Sequence, residues 1–253
     1  MISADKILNS KFMERFRRKL AIYSGMYCKI KRLSPSAHED VRTVKLLQHF
    51  KVDTLIDVGA NTGQFAESMY DFGYKGKIIS FEPVKGVYEQ LVKRSRRYPN
   101  WTVADRMAIG ATDGEIEVNV SESTVFSSIL KIKDEYVSAT RKSRIIDTEK
   151  VSIHRLDTII EQYVSLAGAN VLLKIDTQGY EKEVVAGSSK LLQQLTGIKI
   201  EIPLYMIYEN TSWAFFEIVD FMKTQGFYPY AISPEGVNWT TGRMNTVDGI
   251  FFK

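Results

Sequence analysis

From Thr54 onward, short apolar runs alternate with helix-period segments, and this alternation restricts the fold more than any other feature of the chain. Strands that carry apolar residues at successive positions are buried on both faces. Strands separated by crossover helices run parallel. The runs predict strands at Thr54–Val58, Lys77–Phe81, Trp101–Asp105, Val171–Ile175, Ile198–Ile202, Gly226–Ile232 and Thr246–Phe252. Seven strands in this order suit one α/β, doubly wound sheet. Residues 114–155 read as an insertion holding a hairpin of Glu115–Val120 with Lys150–His154, and a helix is predicted from about Ala37 to Phe50.

The first strand runs into Asp57-Val58-Gly59-Ala60-Asn61-Thr62-Gly63 and then a helix. Gly59 and Gly63 allow a sharp turn with a ligand lying close against the backbone, and the helix start offers amide groups. A dinucleotide-binding turn would carry a further glycine where Asn61 stands. The second strand ends at Phe81-Glu82-Pro83, where an acid is placed to accept from both hydroxyls of a ribose. Asp57 at the first strand end is placed to meet an ammonium group, or else to cap the helix that follows. With the diphosphate glycine missing, the set favours S-adenosylmethionine over a nicotinamide cofactor. Gly59, Ala60, Asn61, Gly63, Glu82 and Pro83 are the cofactor candidates with Asp57. Asp105, Arg106 and Ala108, after the third strand, would border the adenine, and Asp105 reads equally well as a solvated loop acid.

These elements, with Ala108-Ile109-Gly110, Arg155-Leu156-Asp157 and Leu173-Lys174-Ile175-Asp176-Thr177-Gln178-Gly179-Tyr180-Glu181, resemble FkbM-type methyltransferases over roughly residues 40–253. The resemblance implies a class I, Rossmann-like methyltransferase fold over residues 37–253. It also implies methyl transfer to a hydroxyl of a sugar, glycan or related small metabolite. Thr177-Gln178 departs mildly from the family, where Val followed by Glu or Gln is common. The serine pair Ser127-Ser128 in the insertion matches one in the family and is a candidate substrate contact.

Methyl transfer to a hydroxyl calls for alignment and for a base or a Lewis acid. Ligands bind open α/β sheets at the carboxyl ends of their strands, which selects Asp176, Glu181 and Glu201 as catalytic candidates, with Asp176 also beside the cofactor. Glu201 lies in an apolar strand, where an ionised carboxyl is costly unless paired or functional. An ion pair from Lys174 to Glu201 would explain both buried charges. Alternatively, Asp176, Glu181 and Glu201 would hold a divalent cation such as Mg²⁺, the less favoured reading. His154 is a further candidate base. Tyr205, with Tyr208, Trp213 and Trp239, would wall a sugar ring or simply belong to the core.

Residues 1–36 stand outside the resemblance. Ile7, Leu8, Phe12, Phe16, Leu20 and Tyr23 recur at helical spacing among basic residues, predicting an amphipathic extension for packing on the body, for a homodimer contact or for peripheral contact with an anionic membrane. Residues 1–40 hold nine Lys or Arg against four acids while the whole chain is only +4, so the rest of the chain is close to neutral. That distribution argues against a nucleic-acid substrate, leaving RNA or protein methylation, or a non-catalytic nucleotide-binding domain, as alternatives. No run is long enough to span a bilayer, no signal-peptide pattern is present, and a single cysteine, Cys28, precludes an intrachain disulfide. A cytoplasmic location is the expectation.

Overall fold

The computed structural model describes residues 38–124, 127–133, 143–205, 208–209, 213–238 and 240–253. The extension of residues 1–36, with the dimer and membrane contacts expected of it, lies outside these, as does Trp239. Among the described residues no helix is long and apolar enough to cross a membrane.

The chain enters through α1 (Glu39–His49), whose first turn carries Glu39 and Asp40 and whose Thr43, Val44 and Leu47 are buried. β1 (Thr54–Val58) is buried at every position and leads through the glycine turn into α2 (Gln64–Asp71). β2 (Lys77–Phe81), α3 (Lys85–Ser95) and β3 (Trp101–Val103) follow. Next come β4 (Ala108–Ile109), β5 (Gly114–Ser121), β6 (Ile145–His154) and the short α4 (Leu156–Ile159). The second half runs through β7 (Val171–Ile175), α5 (Glu181–Ala186), α6 (Leu191–Gln194), β8 (Gly197–Pro203), α7 (Phe215–Thr224), β9 (Tyr228–Val237) and β10 (Met244–Phe252).

Seven strands form one sheet in the order β3-β2-β1-β7-β8-β10-β9. The pairs from β3 across to β8 are parallel, while β10 is antiparallel to both of its neighbours. Counted within this sheet alone, the order is 3-2-1-4-5-7-6, the doubly wound class I arrangement that the resemblance implies. The order reverses between β1 and β7, so a crevice opens beyond their carboxyl ends. Two cores sandwich the sheet. Ile56, Val58, Leu173, Ile175, Ile198 and Ile200 face one, whereas Leu55, Leu172, Ile250 and Phe252 face the other together with α1 and α2. Alternation along each strand puts Asp57, Lys174 and Lys199 on this second face.

The expected hairpin is present and longer than predicted. β5 pairs antiparallel with β6, and β4 adds to β6 in parallel to make a separate three-stranded sheet. Val118, Val151 and Ile153 of this sheet pack on Val84 and Val87, which sets the insertion over the ends of the main strands. The third strand stops at Val103, two residues earlier than predicted. It is an edge strand paired only with β2, and Asp105 beyond it is exposed.

Candidate functional site

A cavity of about 300 Å³ lies beyond the carboxyl ends of β1, β2, β7 and β8. The glycine turn forms its floor. The Gly59 and Ala60 amides donate to the carbonyl of Phe81 at 3.1 and 3.0 Å, tying the turn to β2. Gly59 adopts φ +74°, and a Cβ there would stand 1.8 Å from the carbonyl oxygen of Asp176. No side chain can pass the end of β7 at this point. Gly63 caps α2 at φ +89° against the Trp101 ring, so it serves the fold and does not line the cavity.

Glu82 is buried at the cavity wall. Its Oε2 accepts from the Asn61 amide and its Oε1 from the Val84 amide, each at 2.9 Å. Burial pushes its pKa up to about 7 against the lowering effect of those two amides. A carboxylate oxygen has two acceptor sites, so each still has one left for a ligand hydroxyl. Pro83, Met107, Ala108 and Ile109 continue the wall as an apolar slot.

The two neighbours expected beside an adenine fall elsewhere. Asp105 is exposed, with the Tyr163 hydroxyl at 3.4 Å. Arg106 reaches back to the Pro83 carbonyl and to Glu149, at 3.0 and 2.8 Å. Neither lines the cavity.

Asp57 is fully buried and off the cavity wall, and the ammonium it meets belongs to the protein itself. Lys174 Nζ stands 3.0 Å from Asp57 and 3.5 Å from Asp176, and donates to the Gly59 carbonyl at 2.9 Å. Burial alone would lower the Lys174 pKa, but Asp57 and Asp176 outweigh it and hold the value above that of an ordinary lysine. The expected Lys174–Glu201 pair does not form. The register sets Lys174 between Asp57 of β1 and Lys199 of β8, two residues short of Glu201. Lys199 turns to Asp248 and, at 3.3 Å, to Glu39.

Asp176 and Glu201 line the cavity and are joined through Gln178. Its Nε2 donates to Asp176 Oδ1 at 2.8 Å and to Glu201 Oε2 at 3.0 Å. The Gln178 side-chain carbonyl accepts from the Tyr208 hydroxyl at 2.9 Å, and its main-chain carbonyl accepts from Ser128 Oγ at 2.7 Å. Gln178 sits at φ +56°, a conformation that costs a non-glycine residue about 1 kcal/mol and persists where surrounding bonds impose it. Burial, and then the carboxyls of Asp176, Glu181, Asp248 and Glu235, push the Glu201 pKa well above the usual range.

Glu181 does not converge with Asp176 and Glu201. Its Oε1 accepts from the Thr177 amide and hydroxyl and from the Gly179 amide, at 2.9, 3.2 and 3.1 Å. It clamps the loop that presents Asp176 and Gln178, and burial pushes its pKa up to about 7. The three acids expected to share a cation are therefore not arranged as one ligand set.

His154 is also apart from the cavity. Ile153 points into the core, so alternation turns His154 outward to Asp113 at 3.3 Å. Ser127 and Ser128 do line the cavity. Tyr205 does not, and it carries the Arg243 guanidinium over its ring at 4.6 Å. Trp213 is buried against Phe221 in the core.

Among the wall residues that were not candidates from the sequence, Gln178 and Glu235 bear most on the chemistry. Gln178 was named only within the Thr177-Gln178 stretch, where Thr177 is the departure from the family pattern and Gln178 fits it. Glu235 lies at an irregularity of the β9–β10 pairing, where Val247 opposes Pro234 and Thr246 opposes Gly236, which leaves Glu235 without a partner residue. Such bulges re-aim side chains beside functional sites. Glu235 lines the cavity, and burial with Asp248 nearby pushes its pKa up to about 7.

Residues 57–229 match the family described as Methyltransferase FkbM domain. The hexuronic acid methyltransferase AglP of Haloferax volcanii is 24% identical over 166 residues, 65% of this chain and 62% of that protein. The chain thus spans about three fifths of the length of this curated relative. Among solved structures, Aeropyrum pernix fibrillarin with bound S-adenosyl-L-methionine is 13% identical at a TM-score of 0.46, covering 84% of this chain and 75% of that one. The Burkholderia thailandensis 1,6-didemethyltoxoflavin-N1-methyltransferase is 9% identical at 0.43, covering 96% and 89%. Likenesses of this size carry no functional weight.

Proposed function

The chain belongs to the FkbM methyltransferase family, and from this premise we propose that it moves a methyl group from S-adenosylmethionine to a hydroxyl of a sugar or related small metabolite. One observation carries the reading. A single cavity joins Glu82, with acceptor sites to spare at the end of β2, to Asp176 and Glu201 at the ends of β7 and β8.

S-adenosylmethionine, when bound, supplies a methyl group activated on a sulfonium centre. Glu82 would hold the ribose hydroxyls, the turn from Gly59 to Asn61 the adjoining chain, and the slot of Pro83, Met107, Ala108 and Ile109 the adenine. Asp176 takes the proton of the acceptor hydroxyl on its carboxylate, with Lys174 at 3.5 Å balancing its charge and Gln178 fixing its direction. Glu201, raised well above the usual carboxyl range, is the weaker candidate for holding that negative charge. Ser127 and Ser128 sit where an acceptor would touch them. The hexuronic acid named for the Haloferax volcanii relative supports a sugar frame for the acceptor and does not fix the charge that this chain accepts.

The test is transfer of a labelled methyl group from S-adenosylmethionine to glycosides, by the native chain and by Asp176→Asn. The variant is expected to retain affinity for S-adenosylhomocysteine and to lose turnover by roughly a hundredfold or more. Unchanged turnover would remove Asp176 from the chemistry.

A further inference from the structure

The acceptor end of the cavity is crowded with carboxyl groups. Asp176, Glu201 and Glu235 all line it, and among the described lining residues the cation facing them is Lys174. That ammonium is already committed to Asp57 at 3.0 Å, to Asp176 at 3.5 Å and to the Gly59 carbonyl. Behind the wall, Lys199 is committed in the same way to Asp248 and Glu39. Glu39, Glu235 and Asp248 bring carboxylate oxygens within 4.8 Å of one another around it. Glu235 reaches the wall because it occupies the bulge between β9 and β10, and its side chain is exposed toward the cavity.

Resting on the reading that this cavity receives the methyl acceptor, we propose that the site selects a neutral, hydroxyl-rich acceptor and rejects one that bears a carboxylate near the reacting hydroxyl. Carboxyl groups with unused acceptor sites are matched by hydroxyl hydrogens. An anionic sugar would instead bring like charge against Asp176 and, above about pH 7, against Glu235, and find no uncommitted cation on the described wall. Juxtaposed like charges discriminate strongly between otherwise similar ligands.

Three acceptors of one carbon frame separate charge from shape: a methyl hexoside, the corresponding methyl hexuronide, and the methyl ester of that hexuronide. Each is offered at millimolar concentration to the full chain with labelled S-adenosylmethionine, and its binding to the S-adenosylhomocysteine complex is followed by calorimetry. The hexoside and the ester are expected to be methylated or bound, with the hexuronide poorer by on the order of a hundredfold. Glu235→Gln should narrow that gap several-fold, and an unchanged gap would remove Glu235 from the selection.

A hexuronide that equals or exceeds its ester overturns the proposal and leaves the methyltransferase reading standing. So does failure of both neutral probes to bind a protein that binds S-adenosylhomocysteine. Absence of S-adenosylhomocysteine binding overturns the underlying reading instead.

Discussion

Glu181 spends one carboxylate oxygen on three donors of the loop from Thr177 to Gly179, while burial raises its pKa from 4.5 to about 7. Between those two values the folded chain holds a proton that the unfolded chain has released. Stability from this group is therefore complete below about pH 4.5 and is lost as pH rises through about 7. At 1.36 kcal/mol per pH unit, the interval corresponds to roughly 3 kcal/mol. Glu181→Gln keeps an amide oxygen for the same donors but has no proton to release. Its own cost, from the amide nitrogen placed where Oε2 stood, does not vary with pH. Urea unfolding at intervals from about pH 5 to about pH 8 should show the native chain losing stability faster than the variant, with the gap moving by about 3 kcal/mol in the variant's favour. Carboxyls not coupled to Glu181 titrate alike in both proteins, and Glu201, which Glu181 helps to raise, is held constant by making the comparison in a Glu201→Gln background. Parallel curves would refute the argument, because they would mean that Glu181 has the same charge folded and unfolded across the range.

Gly59→Ala should abolish cooperative folding, since its Cβ would stand 1.8 Å from the Asp176 carbonyl. Gly73→Ala, at φ +100° with open space around it, should cost only about 1 kcal/mol in a thermal melt. Glu82→Ala should weaken S-adenosylhomocysteine roughly 10- to 100-fold by calorimetry, and in the native chain affinity should fall as pH drops through about 7 and Glu82 takes up its proton. A flat profile would show that the ligand does not depend on the ionised form.

The main sheet was legible because strands buried on both faces must be written as apolar runs. Gly59, Glu82 and Asp176 were legible because they close those runs at the end where a doubly wound sheet opens. What the runs do not encode is which neighbour a strand receives. The Lys174–Glu201 pair required a choice of register, and the observed one offers Lys174 to Asp57 instead. The outward turn of His154 follows from alternation with buried Ile153, a pattern already present in the hairpin sequence. Glu235 was out of reach, since a bulge exists only once β9 and β10 are paired.

The charged row at the strand ends links fold and chemistry. Every second residue of β1, β7 and β8 faces an apolar core, so the charges between them are confined to one face of the sheet. Along that face, compensation runs out in one direction. Asp57 is matched by Lys174 and by the Ser80 hydroxyl at 3.1 Å, deep in the sheet. Asp176 shares the same lysine at longer range, and Glu201 is held by the neutral amide of Gln178. Glu235, last in the row, is raised to about 7 by burial and by Asp248. Glu235 is exposed and partly offset by Lys199. Glu201, lodged in a largely apolar strand, has only the Gln178 amide, an arrangement that is costly and adds nothing to packing that an apolar residue could not supply better. Its place where the cavity opens is therefore accounted for by what it does to a ligand. Compensated charge marks the part of the row that builds the turn beneath the cofactor candidates, and uncompensated charge marks the part proposed to meet the acceptor.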